Sequence, residues 1–316
     1  MPFFCTPPST RKTAGMRHWL LAGLASSVLA LSACGGSGSD VDRGPSTLPV
    51  AAKLNGLYWD KSEEKLYLSD DTANNIRVWD GAKDFPAYAT LPPAPASGAS
   101  LGQLTRKDGT FYVTRFGFGK DGAVVAVPKG GTAQNLSGLD PVRRRMGITT
   151  APDGTLLTGS FTGGKGIGTG SVSLLAITGA QASERQLVTG LGKPVGLAVV
   201  GDTLYLNDQN TGNLLSYTWS KVLAQPATLA DGKLLATFTT SDGIDLMTAA
   251  ADGTLFFGGS GGRLFQVSPK GEVSVLASGW PKIIGVAYDE AHRRLFAAVG
   301  AADDASTASV RIVPVP

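Results

Sequence analysis

The sequence predicts an all-β chain folded as a six-bladed β-propeller, its last blade closed by an N-terminal strand. Three observations carry that reading. Residues 194–208, PVGLAVVGDTLYLND, read as an apolar strand, a Gly-Asp turn and a second strand ending in polar residues, and related copies stand at 55–70, 101–115, 146–160, 245–259 and 284–299. Matching positions Asn55, Leu101, Met146, Val195, Asp245 and Ile284 lie 46, 45, 49, 50 and 39 residues apart. That is the length of a four-stranded blade. Finally, 42 glycines and only 17% charged residues suit short strands joined by tight turns, whereas a disordered chain carries more charge and less apolar surface.

The first 47 residues read as an address and a tether. Basic Arg17, an apolar run over 20–31 and the small-residue stretch LSAC at 31–34 follow the order of an export signal. The run is shorter than the roughly 20 residues that span a bilayer. LSAC resembles the bacterial lipobox. The resemblance implies cleavage before Cys34 and a diacylglycerol on its thiol, hence a signal peptide over 1–33 and a membrane partner reached through lipid. Met16 alone gives a well-proportioned signal, so Met1 and Met16 both stand as starts. Gly35 lies where lipoproteins kept in the inner membrane often carry Asp. The resemblance therefore favours the cell envelope, on the periplasmic side of an outer membrane or the cell surface. Residues 34–47 form the tether. Its GGSGSDVDRGPST has little to bury and spans roughly 20 Å as a flexible chain. With Cys5 removed and Cys34 lipidated, no thiol is left for a disulfide, a zinc site or a nucleophile.

The formal charge of +3 comes from this leader, because Arg11, Lys12 and Arg17 precede residue 34 and no acid does. The remainder balances at 25 basic and 25 acidic residues. A nucleic-acid partner is excluded on that ground, since such binders carry a basic footprint. The dense run Arg143-Arg144-Arg145 reads as a solvated loop between repeats.

Residues 48–316 are then the propeller. The first repeat begins at Leu54, with later strands at 65–69, 76–79 and 88–91; polar turns at 61–64 and 70–75 separate the first three. Further repeats start at Leu101, Met146, Pro194, Asp245 and Ile284, with turns at Pro152-Asp153-Gly154, Gly201-Asp202 and Asp252-Gly253. The sixth ends after three strands, at 310–313, so residues 46–50 are expected to supply its outer strand. Residues 220–225 read as a loop by default, with one helical turn as the alternative. The glycine runs at 163–170 and 258–262 lack a following helix and a Gly-Lys-Ser ending, which makes them strand bends or long turns.

Residues 54–60, 194–208 and 244–253 resemble the regucalcin–gluconolactonase family and the related NHL-type six-bladed propellers. The resemblance implies a divalent cation, calcium or zinc, in the central funnel, and hydrolysis of sugar lactones. Its ligand pattern is a Glu on the first blade, Asn on middle blades and Asp on a later one. Here Asn55 replaces the Glu, Met146 and Val195 replace the Asn residues, and only Asp245 matches. Asn55 and Asp245 are thus the metal candidates, and two such groups fall short of the six to eight oxygens calcium takes. His292, the only histidine after the leader, lies in a polar turn rather than a Ser-His-Asp constellation. The second strands end at Asp70, Arg115, Ser160, Asp208, Gly259 and Val299. Asp70, Arg115 and Asp208, with Asn55 and Asp245, are candidates to bind a small polar ligand, while Asp70 and Asp208 also suit turn caps. Two functions stay open: an envelope propeller that binds a small polar ligand or a partner protein through a degenerate metal site, and a divergent metal-dependent lactonase or esterase-type hydrolase.

Overall fold

The computed structural model describes residues 46–94, 99–117, 119–163, 168–300 and 308–316. Cys34, the proposed signal and residues 34–45 of the tether lie outside them. A short strand β1 (Ser46–Val50) comes first. Blade 1 follows as β2 (Leu54–Asp60), β3 (Lys65–Asp70), β4 (Asn75–Trp79) and β5 (Ala87–Thr90). Blade 2 is β6 (Ser100–Lys107), β7 (Thr110–Phe116), β8 (Ala123–Val127) and β9 (Gln134–Asn135). Blade 3 is β10 (Arg144–Thr150), β11 (Leu156–Phe161), β12 (Gly170–Thr178) and β13 (Gln181–Leu191), with β17 (Ala227–Thr228) added in parallel. Blade 4 is β14 (Pro194–Val200), β15 (Thr203–Asp208), β16 (Asn213–Thr218) and β18 (Lys233–Thr237). Blade 5 is β19 (Ile244–Ala249), β20 (Leu255–Gly259), β21 (Leu264–Val267) and β22 (Val273–Ala277). Blade 6 is β23 (Ile283–Asp289), β24 (Arg294–Val299) and β25 (Ala308–Pro314), completed by β1.

The expected closure is present. β1 runs antiparallel to β25, with Thr47 opposite Arg311 and Leu48 opposite Val310. The inner strands β2, β6, β10, β14, β19 and β23 pack in that order, and β23 returns to β2, so the ring is closed.

Period-two alternation explains why each blade needs both neighbours. In β3, Leu66 and Leu68 enter a core shared with Phe296 and Ala298 of blade 6, while Tyr67 enters one shared with Leu104 and Phe111 of blade 2. In β15, Leu204 and Leu206 face blade 3, and Tyr205 faces blade 5. Successive side chains of a strand point to opposite faces, and both faces are buried here.

Each inner strand also carries a register irregularity at or beside its matching position, between Leu54 and Leu57, for example, and between Ile283 and Val286. Glycine follows the matching residue in five of the six blades, as Gly56, Gly102, Gly147, Gly196 and Gly285. A Cβ on Gly147 would lie 2.1 Å from the Val195 carbonyl, and one on Gly285 2.1 Å from the Asn55 carbonyl. The bulges thus bring neighbouring backbones together where a side chain has no room.

Buried polar side chains rivet these bulges. Ser69 Oγ accepts from Gly56 N–H at 2.8 Å and donates to the Gly102 carbonyl at 2.9 Å. Thr114 Oγ1 donates to the Met146 carbonyl at 2.7 Å. Asn207 accepts from Gly196 N–H at 2.8 Å and donates to the Asp245 carbonyl at 2.6 Å. Asn207→Ala orphans a buried donor and a neighbouring carbonyl, so it should destabilise the protein by about 2–4 kcal/mol. Denaturant titration checks this.

Two expectations need correction. Residues 220–225 are no simple loop, because α1 (Trp219–Ala224) buries Trp219 and Val222 in the core between blades 3 and 4. Asp202 fixes the start of the helix by accepting from the Ser220 N–H at 2.7 Å and its hydroxyl at 2.9 Å. Nor is the arginine run a solvated loop. Arg144 and Arg145 belong to β10, and Arg145 is fully buried. Its guanidinium pairs with Glu184 at 2.9 Å and donates to the carbonyls of Asp140 and Arg143. Those partners compensate a charge that burial otherwise disfavours.

Candidate functional site

The hub opens at the starts of the inner strands into a cavity of about 780 Å³. Four matching residues line it: Asn55, Met146, Asp245 and Ile284. Leu101 and Val195 are buried between strands instead. Second-strand ends add Phe116, Gln209, Asn210 and Ser260, and the lead-ins to blades 5 and 6 add Thr240, Gly243 and Lys282. Met146, Phe161 and Val195 form an apolar cluster at this end, with Phe116 packed against it.

Asn55 is held by donation from Nδ2 to the Leu101 carbonyl at 2.6 Å. Asp245 Oδ1 accepts from the Leu246 N–H at 3.0 Å. Burial pushes the Asp245 carboxyl up to about 7, opposed by Lys193, the Leu246 N–H, Lys282 and the Gln209 amide. Burial pulls Lys193 down, while Asp245 raises it and Arg144 lowers it further. The Lys193 ammonium donates to Gln209 Oε1, and Gln209 Nε2 donates to the Ile244 carbonyl at 2.7 Å. Lys193 also stands 5.4 Å from the Phe161 ring centre, where its charge meets the negative face of the ring.

Asn55 and Asp245 therefore share one cavity, and Asp70, Arg115 and Asp208 do not line it. Asp70 accepts from the Thr72 and Ala73 N–H groups at 2.9 and 3.2 Å and from Arg77 at 2.7 Å. It is a turn cap tied to its own blade. Asp208 accepts from the N–H groups of Gly192, Lys193 and Asn210 at 2.7, 2.7 and 3.2 Å. It fixes the lead-in that carries Lys193. Arg115 is buried and donates to Asn74 Oδ1 and the Pro92 carbonyl, both at 2.9 Å. Burial lowers its affinity for its proton, against Asp71 and Asp121.

His292 bonds Asp289 Oδ2 at 2.8 Å through Nδ1. Its neighbours Asp289, Glu290 and Ala291 line a second cavity, of about 840 Å³, at the other ends of the inner strands. The histidine is thus remote from Asp245.

The donor set does not fit a divalent cation. The cavity holds one carboxylate, with Met146 and Ile284 elsewhere around the ring and Lys282 at its rim. Among the described residues, no three His, Cys, Asp or Glu side chains group as metal ligands. A hard divalent ion needs several charged or strongly polar oxygens.

Phe116, Gln209, Asn210, Thr240, Ser260 and Lys282 line the cavity and were missed by sequence reasoning, as was Lys193, which bonds the lining residue Gln209. A signal for the lysines existed two residues before each matching position, which reads Lys53, Ala99, Arg144, Lys193, Gly243 and Lys282. Four of these six are basic, and the i and i−2 side chains of a strand share a face.

No protein-family model matches the chain, and no curated protein matches it in sequence. Solved structures do match in shape. A luciferin-regenerating enzyme superposes with TM-score 0.64 at 16% identity, covering 85% of this chain and 95% of its own. The calcium-binding protein regucalcin from Agrobacterium tumefaciens strain C58 gives 0.62 at 13% identity, covering 84% and 93%. A gluconolactonase from Xanthomonas campestris gives 0.60 at 15% identity, covering 83% and 86%. The fold is therefore that of the regucalcin- and gluconolactonase-like six-bladed propellers.

Proposed function

We propose that this protein is a binding propeller of the cell envelope, lipid-anchored through Cys34, which takes a small polar ligand in its central funnel. The observation that carries the reading is the composition of that funnel. One carboxylate, three amides at Asn55, Gln209 and Asn210, two hydroxyls at Thr240 and Ser260, and Lys282 surround an apolar floor. A cavity of this size with a few convergent polar groups suits a small molecule. The signal order at 1–34 supports the envelope address, and a protein partner at the rim is a further reading of the same placement.

The alternative is a divergent metal-dependent sugar-lactone hydrolase. Its support is Asp245, which stands at the family's Asp position and lines the hub, together with the fold shared with a gluconolactonase. Thermal melting of the purified chain with calcium, zinc or manganese separates the two. The binding reading expects shifts below about 1 °C that Asp245→Ala leaves unchanged. A metal-dependent stabilisation abolished by Asp245→Ala would reinstate the hydrolase, because a ligand that binds only the folded state raises its stability by mass action.

A further inference from the structure

The hub cavity is lined by two charges of opposite sign. Asp245 reaches it from blade 5, and Lys282 from the lead-in to blade 6. The inner strands of those blades pack together, and the Lys282 field reaches the Asp245 carboxyl. The two charges nonetheless do not meet, because the Lys282 ammonium makes no hydrogen bond or ion pair among the described residues. Nor is Asp245 neutralised from within. Burial outweighs Lys193, the Leu246 N–H, Lys282 and the Gln209 amide together, so the carboxyl is pushed up to about 7. Lys193 itself does not line the cavity, and its ammonium is engaged by Gln209 Oε1 and the Phe161 ring. The two lining charges also stand at different depths. Asn55, Met146 and Ile284 are buried at their matching positions, and Asp245 holds the same position in its blade. Lys282 is exposed, as are Asn210, Thr240 and Ser260 around the rim.

We infer that the funnel takes a small zwitterion, an amino acid whose ammonium lies inward against Asp245 and whose carboxylate stays at the rim on Lys282. The inference rests on the small-ligand reading above and narrows its chemical class. A buried carboxylate without a full partner is costly. An ammonium supplies the missing charge and brings three N–H donors. Asp245 takes one of them, and neutral oxygens of Asn55, Thr240 and Ser260 line the same cavity for the others. That set suffices for an ammonium, whereas a divalent ion needs several charged oxygens. The rim poses the opposite requirement, since Lys282 has no carboxylate of its own among the described residues. A ligand with one charge answers only half of this arrangement: a simple amine leaves Lys282 unpaired, and a simple acid leaves Asp245 so. Met146, Ile284 and Phe116 give the wall apolar surface for the hydrocarbon between or beside the charged groups. A cavity of about 780 Å³ holds such a molecule with its hydration.

The test is calorimetric titration of the full chain with 4-aminobutyrate and L-leucine as zwitterions, n-butylamine and butyrate as single-charge counterparts, and erythritol as an uncharged polyol. The expected result is saturable binding of a zwitterion, at least tenfold tighter than that of the amine or the acid. Losing one hydrogen bond to a charged group costs about tenfold. Asp245→Asn should therefore remove the zwitterion's advantage over butyrate, and Lys282→Gln its advantage over n-butylamine. Lys282 is exposed, and Asp245→Asn removes a charge that burial penalises, so both variants are expected to fold, which circular dichroism checks. A second readout is the proton. A bound ammonium favours the charged carboxylate, so binding at pH 6 should release a proton, measured from the heat in buffers of different ionisation enthalpy. Lys193 and Lys282 are the other titratable groups facing Asp245, and absence of the release in Asp245→Asn assigns it to the carboxyl. Amine or acid binding as tightly as the zwitterions overturns the inference, and so does unchanged zwitterion affinity in the two variants. Erythritol binding with no response to the zwitterions overturns it and leaves the small-ligand reading intact. If none of the five binds, the small-ligand reading falls with it.

Discussion

Asp245→Asn is expected to make the protein more stable at pH 8 by about 2–4 kcal/mol and to leave it unchanged near pH 4. Burial pushes the Asp245 carboxyl up to about 7 in the folded protein, against about 3.9 in an unfolded chain. Between those values the folded state holds a proton that the unfolded state has released. Stability therefore falls as pH rises from about 4 to 7 and stays reduced above that window. Asparagine is nearly isosteric, still accepts from the Leu246 N–H through Oδ1, and carries no charge to desolvate. Chemical denaturation at pH 4, 6 and 8 should show the natural chain losing stability across the window and the variant not doing so from this group. Parallel slopes in the two proteins would refute the assignment of Asp245 as the strained carboxyl.

Gly285→Ala is the second large effect, with an expected loss of roughly 3 kcal/mol or more. Its Cβ would fall 2.1 Å from the Asn55 carbonyl and 3.1 Å from the Leu57 N. Both are backbone atoms of the neighbouring inner strand, so relief requires moving β23 away from β2 at the junction that closes the ring. That shift would also displace Asn55 from the cavity. Gly300→Ala is the control: its nearest atoms lie 3.5 Å away, on the flexible Lys282 side chain. It should change stability by less than about 0.5 kcal/mol, the usual range for surface changes. Thermal and denaturant melts of the two variants side by side check the contrast.

The site was legible only where a residue's role is set by its place in the repeat. Asn55 and Asp245 sit at matching positions of their blades, and both line the hub. Asp70, Arg115 and Asp208 share a repeat position as well, yet their side chains turn to turn N–H groups, Arg77, Asn74 and Pro92. A strand end can aim into the channel or back at its own turn, and local hydrogen-bonding partners decide which. Lys193 and Lys282 lie before the strands, where the pattern of apolar residues stops, so a reading built on that pattern passes over them. Arg145 shows the same limit from the other side: a charged run reads as surface until Glu184, from a distant strand, is known to pair with it.

The chain alone determined the number of blades and their strand order, because period-two alternation and turn residues act locally and the repeat spacing is fixed by blade length. It also determined the closing strand, since a three-stranded sixth repeat leaves an edge that only residues near 46–50 are placed to cover. The tertiary structure decided which of the polar residues face the hub and that burial raises the Asp245 carboxyl. Those properties arise when six bulged strands converge: the convergence desolvates Asp245, brings lysines from separate blades within range of it, and turns the remaining acids toward partners of their own.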